Sequence, residues 1–350
     1  MAKKLGLLTL LVVIVLAALN YKSIIDWIRP NKTVNDLEVK ILLKEDPDVT
    51  TLLETLYGKK VIDDLDKAKE IANELGLDKK ELAGGKYVIL PGSRVEKVLN
   101  GFVKGENGRG KNEILVNVFF NSCRDLNDVA KNVSTCISAD STSLIDFMLA
   151  PETLSKYGFT AQQMPALILP KKYEMEFDTD AAEFVAFMAA QFRDFWTEER
   201  MQKLQTIGLK SPSQAVTLAS IVYSEQGKVH EEWPVIAKLY LNRIDQGMKL
   251  QSDPTFKFCW GHKLDGMQRL TAKHREINCD YNTYQIQGLP PGPICVTPSV
   301  VVDAVLNPAK VNYLFMCAKP DFSGQHNFTR SGQQHIKNAN IYQKWLAEQL

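Results

Sequence analysis

A helix that ends at an acidic side chain constrains this chain more than any other stretch. Ser211 is a strong N-cap residue, and Pro212 suits the first helical position. Gln214 is spaced to close a capping box back onto Ser211. Gly227 is a natural helix stop, and Glu225 lies two residues before it. The pattern predicts a helix with a carboxylate in its last turn.

The position of Glu225 on that helix indicates a perturbed acid. It follows Leu218 by seven residues and Ile221 by four, so it lies along their apolar stripe. Apolar neighbours and the negative end of the helix dipole both raise the pKa of a carboxyl group. A carboxylic acid that keeps its proton near neutral pH suits a general acid for a glycosidic bond. The alternative is a Glu that turns into solvent or pairs with an arginine.

Composition excludes several classes of function. A chain of 350 residues predicts two domains with appendages, and 45 % hydrophobic residues with 24 % charged ones are ordinary for a globular protein. The net charge of +1 provides no basic surface for nucleic acid. Neither zinc-type cysteine spacing nor a phosphate-binding glycine loop occurs. We therefore expect no nucleic-acid partner, no metal and no cofactor.

The N-terminus has the pattern of a membrane anchor. Two lysines precede an apolar run over 5–19, which is short for a spanning helix of about 20 residues. Apolar and aromatic residues as far as Trp27 extend the run or anchor it at the interface. We expect a cytoplasmic tail at 1–4 and an uncleaved anchor over 5–27. A cleaved signal peptide is the alternative, and in either case the body of the protein is exported.

Export permits disulfides among the six cysteines. Cys123 and Cys136 are close enough in sequence to close a short loop. The alternative is free buried thiols, since cysteine is a common small core residue. Sequence alone leaves the pairing of all six open: Cys123, Cys136, Cys259, Cys279, Cys295 and Cys317.

After a linker at 28–35, residues 36–104 have the pattern of a small α/β module. A strand, two short helices, a returning strand and a further short helix are predicted, in the order Val39–Leu43, 50–57, 66–75, 85–90 and 94–104. This order resembles a LysM-like module, which is a common glycan-binding unit. A spacer that binds nothing is the alternative. A glycine-rich linker follows at 105–112.

Residues 113–350 predict a larger domain that is mostly helical, which makes the whole chain α+β. A strand is expected over 113–120. Residues 288–294, Gly-Leu-Pro-Pro-Gly-Pro-Ile, fit neither a helix nor a central strand and are typical of a rigid loop that walls a cleft. Helices are expected at 125–132, 141–149, 181–204, from about 233 through Gln246, and at the C-terminus to Leu350.

Six motifs in this domain resemble one family. They are ASIVxxE at 219–225, YLNR at 240–243, GMxLQSDPT at 247–255, YNTY at 281–284, GLPPGPI at 288–294 and HNF at 326–328. Together the order and spacing resemble the YceG-like endolytic murein transglycosylases, the MltG family, over roughly 113–350. An N-terminal anchor and a LysM-like module also resemble that family's plan. The resemblance implies a mixed α+β catalytic domain of the lytic-transglycosylase type.

The resemblance also implies an activity and a location. The enzyme would be a lyase in the bacterial inner membrane, with its catalytic domain on the periplasmic side. It would cut the β-1,4 bond between N-acetylmuramic acid and N-acetylglucosamine inside nascent peptidoglycan strands, leave 1,6-anhydro ends, and limit strand length beside the peptidoglycan synthases. In such enzymes one Glu performs both proton transfers, and Glu225 matches its position.

Side chains around the motifs have chemistry suited to a glycan. The amides of Asn242, Gln251 and Asn282 suit N-acetyl and hydroxyl groups, and Tyr281 and Tyr284 suit sugar faces. The expected substrate-binding set is Asn242, Arg243, Gln251, Ser252, Asp253, Tyr281, Asn282, Tyr284, His326 and Asn327.

Simpler explanations compete for several of these residues. Asn282 can serve a turn, and Arg243 can pair with Asp245 or Glu232 instead of binding a substrate carboxylate. Asp253 with Pro254 favours a turn over a second acid. The loop residue His326 favours a hydrogen-bonding wall over a metal site.

Two other functions remain open at this point. A glycoside hydrolase would use Glu225 and Asp253 with water and leave a reducing end. A glycan-binding scaffold would catalyse nothing, and the set of Glu225, Gln251 and Asn282 argues against it.

Overall fold

A computed structural model describes residues 31–120, 123–264 and 271–349. The predicted anchor over 5–27 lies outside these residues. Within the described ranges, no helix has the length and apolar character needed to cross a membrane. The chain divides into two units, one of residues up to Asn117 with Glu174–Thr179 and one of Val118–Tyr173 with Asp180–Leu350.

The first unit has the predicted order of strand, helix, helix and strand. Its elements are β1 (Val39–Leu43), α1 (Val49–Gly58), α2 (Leu65–Glu74), β2 (Gly85–Ile89) and α3 (Val95–Gly101). The two helices begin where side chains cap them, since Asp48 accepts from the backbone of Thr51 at 2.7 Å and Asp64 from that of Lys67 at 2.9 Å.

Strands β1 and β2 pair antiparallel, with Val39 opposite Ile89 and Leu43 opposite Gly85. Gly85 has φ +117°, and a Cβ on it would collide with the carboxyl group of Glu113, so both its backbone and its neighbour require glycine. The core of this unit is formed by fully buried side chains of the strands, the helices and the connections: Ile41, Leu52, Leu56, Leu77, Tyr87, Leu99 and Phe102.

Segment Glu174–Thr179 joins the first unit through charged groups. Arg109 Nη1 donates a short hydrogen bond to Asp178 Oδ1. The carboxyl oxygens of Glu113 are buried beside this pair. Burial, and then the charge of Asp178, raise the pKa of Glu113 to about 7. A carboxyl group that is mostly protonated below pH 7 therefore lies in the core of this cluster.

The remaining elements follow in chain order. Strands β3 and β4 pair with each other, and β5 and β6 form an antiparallel hairpin. They are β3 (Val116–Val118), α4 (Leu126–Val133), α5 (Ser141–Leu149), α6 (Pro151–Tyr157), β4 (Tyr173–Met175), α7 (Ala181–Phe195), α8 (Glu198–Thr206), α9 (Pro212–Glu225), α10 (Trp233–Asp245), α11 (Asp253–Trp260), α12 (Ser299–Leu306), β5 (Phe315–Ala318), β6 (His326–Thr329) and α13 (Gly332–Gln349).

Helix α9 is the centre of the second unit. It packs against α10, α11 and α12, and each of its residues from Ser213 to Val222 except Gln214 is buried. Its hydroxyl groups are satisfied locally, since Thr217 donates to the carbonyl of Ser213 and Ser220 to that of Thr217, both at 2.7 Å. The helix is therefore buried around most of its circumference, more completely than the predicted apolar stripe requires.

The cap of α9 is close to the prediction and differs in one contact. The Ser211 hydroxyl accepts from the backbone N–H of Gln214 at 3.3 Å, as expected. The Gln214 side chain accepts from the backbone of Lys210 at 2.8 Å instead of that of Ser211. The capping box thus closes onto the backbone of Lys210, one residue upstream of Ser211. The helix ends at Glu225, with Gln226 as its C-cap.

Three sequence predictions about the backbone were wrong. The helix expected over 181–204 is two helices, because the backbone leaves helical geometry at Trp196 and Thr197 caps a new helix. The strand expected over 113–120 is only Val116–Val118. The turn expected at Asp253 and Pro254 is the start of α11, where proline is tolerated because that N–H needs no helical partner.

The disulfide also differs from the pairing that was considered. Cys259, near the end of α11, is bonded to Cys279 across 20 residues of sequence. Cys123 and Cys136 are not bonded to each other, so the loop considered between them does not form. The observed bond ties α11 to the segment that leads into residues 281–284.

Candidate active site

Glu225 is held by two hydroxyl groups that reach the same oxygen. Tyr240 of α10 donates to Glu225 Oε1 at 2.7 Å, and Ser252, which precedes α11, donates to the same atom at 2.5 Å. No hydrogen bond of the described residues engages Oε2. The carboxyl group is therefore fixed in orientation through one oxygen, and Oε2 is the oxygen available for proton transfer.

Burial is the largest influence on Glu225 and raises the pKa of its carboxyl group. The hydrogen bonds from Ser252 and Tyr240 act in the opposite direction, because they stabilise the carboxylate. The charge of Asp253 raises the pKa further, and that of His326 lowers it. The net direction is upward, which is the direction that a general acid near neutral pH requires.

Glu225 opens on a polar cavity of about 480 Å³ within the second unit. Residues from α9, α10, the start of α11, the hairpin β5–β6 and α13 line it. They are Glu225, Leu239, Tyr240, Arg243, Leu250, Gln251, Asp253, Arg275, Tyr284, Met316, Cys317, Ala318, His326, His335 and Ala339. The cavity is large enough for a sugar residue and combines acids, cations and a ring, as carbohydrate sites do.

One wall of the cavity carries the carboxyl group of Asp253, which has two partners. Tyr284 donates its hydroxyl to Asp253 Oδ1 at 2.5 Å, and Arg275 donates to Oδ2 at 3.2 Å. The Arg275 guanidinium lies over the Tyr284 ring, 5.0 Å from its centroid. Burial and the bond to Asp253 raise the pKa of Tyr284 above its usual value, so its hydroxyl remains a donor.

Another wall of the cavity holds the imidazole ring of His326 in place. The backbone N–H of His326 donates to Glu232 Oε1 at 2.8 Å, and its Nδ1 hydrogen-bonds Oε2 at 2.7 Å. Gln226, the C-cap of α9, also donates to Glu232 Oε2, at 2.8 Å. With Nδ1 engaged by a carboxylate, Nε2 is the ring nitrogen left for the cavity. His326 is thus a positioned wall residue; no group of three or more His, Cys, Asp or Glu side chains in the described chain could hold a metal.

The side chains of Asn242 and Arg243 donate hydrogen bonds to backbone carbonyls of neighbouring segments. The Asn242 amide donates to the carbonyls of Val311 and Tyr313 at 3.2 and 3.0 Å. The Arg243 guanidinium donates to the carbonyls of Leu314 and Leu250, each at 2.7 Å. Both side chains are buried, and neither Asp245 nor Glu232 pairs with the arginine in these bonds. Both side chains therefore support the backbone, Arg243 also lines the cavity, and the predicted contacts with a glycan amide or a substrate carboxylate stay predictions.

Asn282 also supports the backbone. It is 0 % exposed, and its amide donates to the carbonyls of Arg275 and Ile277 at 2.9 and 2.8 Å. Its side-chain oxygen accepts from the backbone of Tyr284 at 3.1 Å, which is the turn considered as the simpler explanation. The side chain thus sets the position of Tyr284 and cannot reach a sugar.

The other predicted residues divide between the cavity and its surroundings. Gln251 lines the cavity with an exposed side chain and a left-handed backbone at φ +52°, which costs a non-glycine residue roughly 1 kcal/mol. Ser252 is fully buried beneath Glu225. Tyr281 packs on Phe258, with ring centroids 4.7 Å apart. Tyr281 and Asn327 are not among the residues that line the cavity, and the expected stacking of Tyr281 on a sugar stays a prediction.

Sequence reasoning missed three cavity residues. Tyr240 was expected as the first residue of the YLNR motif and had no assigned role in the site, whereas its hydroxyl is one of the two donors to Glu225. Arg275 and His335 had no motif of their own, and both line the cavity. For Tyr240 a signal existed, because a tyrosine that begins a YLNR motif carries a hydroxyl that must find a partner when buried.

The fold and the site define a mixed α+β protein with one buried acid at an open polar cavity, and the expected mixed α+β class is confirmed. The model of the YceG-like family matches residues 41–341, and the chain belongs to this family.

The names of individual relatives agree with this family assignment. An endolytic murein transglycosylase of Bacillus subtilis (strain 168) is 35 % identical over 127 residues, 36 % of this chain and 34 % of the relative. One of Streptococcus pneumoniae serotype 2 is 21 % identical over 285 residues, 74 % of this chain and 50 % of the relative. The chain thus matches half or less of the length of each.

The crystal structure of a YceG-like protein from Listeria monocytogenes has the same fold. It superposes with a TM-score of 0.54 and covers 87 % of this chain and 99 % of that one, at 20 % sequence identity. This likeness concerns the fold alone.

Proposed function

We propose that this protein is an endolytic peptidoglycan lytic transglycosylase with Glu225 as its catalytic residue. The observation that carries the proposal is the geometry of Glu225, which two hydroxyl groups hold through Oε1 while Oε2 is left for the cavity. The names of the two relatives support the choice of substrate and reaction. The substrate would be the bond between N-acetylmuramic acid and N-acetylglucosamine in a nascent glycan strand.

In the first step the protonated Oε2 of Glu225 gives its proton to the oxygen that leaves the anomeric carbon. The raised pKa of the acid supplies that proton near neutral pH. In the second step the carboxylate takes the proton of the sugar's own 6-hydroxyl as that oxygen attacks the anomeric carbon. The proton given up is recovered, the products are a free 4-hydroxyl and a 1,6-anhydro ring, and no water is consumed.

The cavity walls supply binding for such a sugar. Gln251 has an amide suited to the N-acetyl group, and Tyr284 and His326 offer a hydroxyl and an imidazole nitrogen to sugar hydroxyls. Arg243 holds the backbone beside Leu250 and so positions Gln251 and Ser252. We assign substrate contact to the first three and positioning to Arg243.

A hydrolase is the second candidate, because Asp253 lines the same cavity as Glu225. Asp253 could direct a water to the anomeric carbon while Glu225 protonates the leaving oxygen. Tyr284 and Arg275 each already bond to one carboxyl oxygen of Asp253, which leaves Asp253 less free to accept a proton from water. This favours the intramolecular reaction.

Mass spectrometry of the ends of digested glycan strands separates the candidates. Anhydro ends support the lyase, reducing ends the hydrolase, and uncut strands a binding scaffold. Glu225→Gln keeps the shape of the side chain and removes the transferable proton, so activity should fall by more than the roughly 100- to 10,000-fold of a single proton-transfer role. Asp253→Asn should retain anhydro ends. Anhydro ends from Glu225→Gln at the wild-type rate would overturn the assignment.

We further propose that residues 36–104 act as a LysM-like glycan-binding module. The order of β1, α1, α2 and β2, with the strands antiparallel, supports this. Deleting the module should weaken binding to purified sacculi and leave cleavage of short soluble glycans nearly unchanged. Unchanged binding to sacculi would reduce the module to a spacer.

We also propose that 5–27 anchors the protein in the inner membrane, with the catalytic domain in the periplasm beside peptidoglycan synthases. The apolar run over 5–19 and the two preceding lysines support this. The protein should stay in the membrane fraction after a carbonate wash, with an intact N-terminus. Release of a protein that begins near Ala18 would indicate a cleaved signal peptide.

A further inference from the structure

A second cavity, of about 490 Å³, lies next to the catalytic one in the second unit. Tyr223 and Ser224 of α9 line it, as do Pro254 and Lys257 of α11. The same two helices carry Glu225 and Asp253 into the catalytic cavity. The two cavities are therefore built on the same two helix ends, and residues adjacent in sequence line one or the other.

The charge of this second cavity differs from that of the catalytic one. Arg124 and Lys257 line it, and no acidic side chain is among the described residues that do. Lys257 is exposed, whereas Arg124 is half-buried and its guanidinium contacts His262 Nδ1 at 3.0 Å. Tyr223 and Phe258 add two rings to the lining. Two cations with aromatic neighbours favour an anionic ligand that is partly apolar.

A strand that is cut internally continues on both sides of the broken bond. A glycan that passes Glu225 in the direction of residues 223–227 and 254–258 therefore enters the second cavity. Every N-acetylmuramic acid of an unprocessed strand carries a short peptide on its lactyl group, and that peptide ends in free carboxylates. A ligand of this kind has the negative charge and the partly apolar side chains that the cavity suits.

We propose that this cavity binds the carboxylates of a stem peptide next to the scissile bond, and that Lys257 and Arg124 make the enzyme selective for peptide-bearing strands. The identity of the substrate rests on the proposed function. The expected consequence is selective binding. Strands that still carry peptides bind better, and strands from which an amidase has removed the peptides bind poorly.

Binding measured without turnover tests this. In the Glu225→Gln protein, calorimetric titration with a muropeptide disaccharide should give a Kd several-fold lower than with the same disaccharide lacking its peptide. Adding Lys257→Glu should raise the Kd of the peptide-bearing ligand about threefold to tenfold and leave the other Kd within about twofold. Raising salt should have the same selective effect, because it screens exposed charges.

The matched control is Lys310→Glu, since Lys310 is exposed and lines neither cavity. It should leave both Kd values unchanged. Equal binding of the two disaccharides, or a Lys257→Glu variant that weakens both or neither, would overturn the proposal. Because no bond is broken in this assay, the outcome is independent of the end-group analysis: a failure to form anhydro ends would refute the proposed reaction and not this site.

Discussion

Removing the Tyr240 hydroxyl should change the pH at which the enzyme loses activity. Tyr240→Phe leaves Ser252 as the single donor to Glu225 Oε1. A hydrogen bond to a charged group contributes about 1.5–3 kcal/mol, and a protonated carboxyl retains part of that as an acceptor. The difference between the two protonation states is then about 1.4 kcal/mol, which corresponds to about one pKa unit.

The sign follows from which form the hydroxyl stabilises. Tyr240 favours the carboxylate and thereby lowers the pKa of Glu225, so its removal raises that pKa further above the usual range. The proposed cleavage requires the protonated acid, and kcat/KM should therefore fall as pH rises through the pKa of Glu225. In Tyr240→Phe this alkaline limb should move to higher pH by about one unit.

The assay is the pH profile of kcat/KM, measured by release of anhydro ends from soluble glycan strands. Tyr281→Phe is the matched control, since Tyr281 packs on Phe258 outside the cavity, and its profile should not move. An alkaline limb in Tyr240→Phe that stays in place or moves to lower pH would refute the hydrogen-bond argument.

Three further predictions concern stability. The pKa of Glu113 is raised to about 7 in the folded protein, so the folded state loses stability as pH rises from about 4.5 through 7. Glu113→Gln should therefore add about 1–2 kcal/mol to the free energy of unfolding at pH 8, after a discount for partial exposure, and little at pH 4.5. Replacing Cys259 and Cys279 by serine opens a loop of 20 residues and should lower the free energy of unfolding by about 3 kcal/mol. Asn282→Ala removes the donor to two backbone carbonyls and should lower it by about 2–3 kcal/mol.

Denaturant titrations check all three. The Glu113 argument fails if the gain is the same at both pH values, and Glu106→Gln, at an exposed carboxylate in the same unit, is its control. For the disulfide, dithiothreitol should destabilise the wild type and leave the double serine variant unchanged; equal sensitivity would contradict the pairing. Asn282→Asp keeps an acceptor for Tyr284 but loses the donors, so it should be nearly as unstable as Asn282→Ala.

Local signals in the sequence predicted most of the elements and the position of the buried acid. The caps at Ser211 and Gly227 bounded α9 within two residues, and the spacing of Glu225 from Leu218 and Ile221 indicated its burial. These features depend on neighbours within one or two helical turns, which a sequence displays directly.

What sequence could not provide depends on tertiary contacts. The donors to Glu225 come from 15 and 27 residues downstream, and no spacing rule connects such positions. Asn242 and Asn282 looked like substrate amides because of their motifs, but buried amides also satisfy backbone carbonyls, and only the structure shows which of the two occurs. The break at Trp196 was missed because apolar residues, Met201 and Leu204, continue the pattern beyond it.

The site around Glu225 is assembled from three parts of the chain, and this has a consequence for partial unfolding. Glu225 belongs to α9, Tyr240 to α10, and Ser252 to the segment before α11, where Gln251 holds a left-handed backbone. If that segment detaches while the helices stay folded, the carboxyl group loses a donor and its burial at once, and it returns to the behaviour of an ordinary glutamate. Catalysis should therefore cease at a lower denaturant concentration than the loss of helical signal, so that enzymatic activity reports local order around residues 250–255 earlier than any spectroscopic measure of the whole chain.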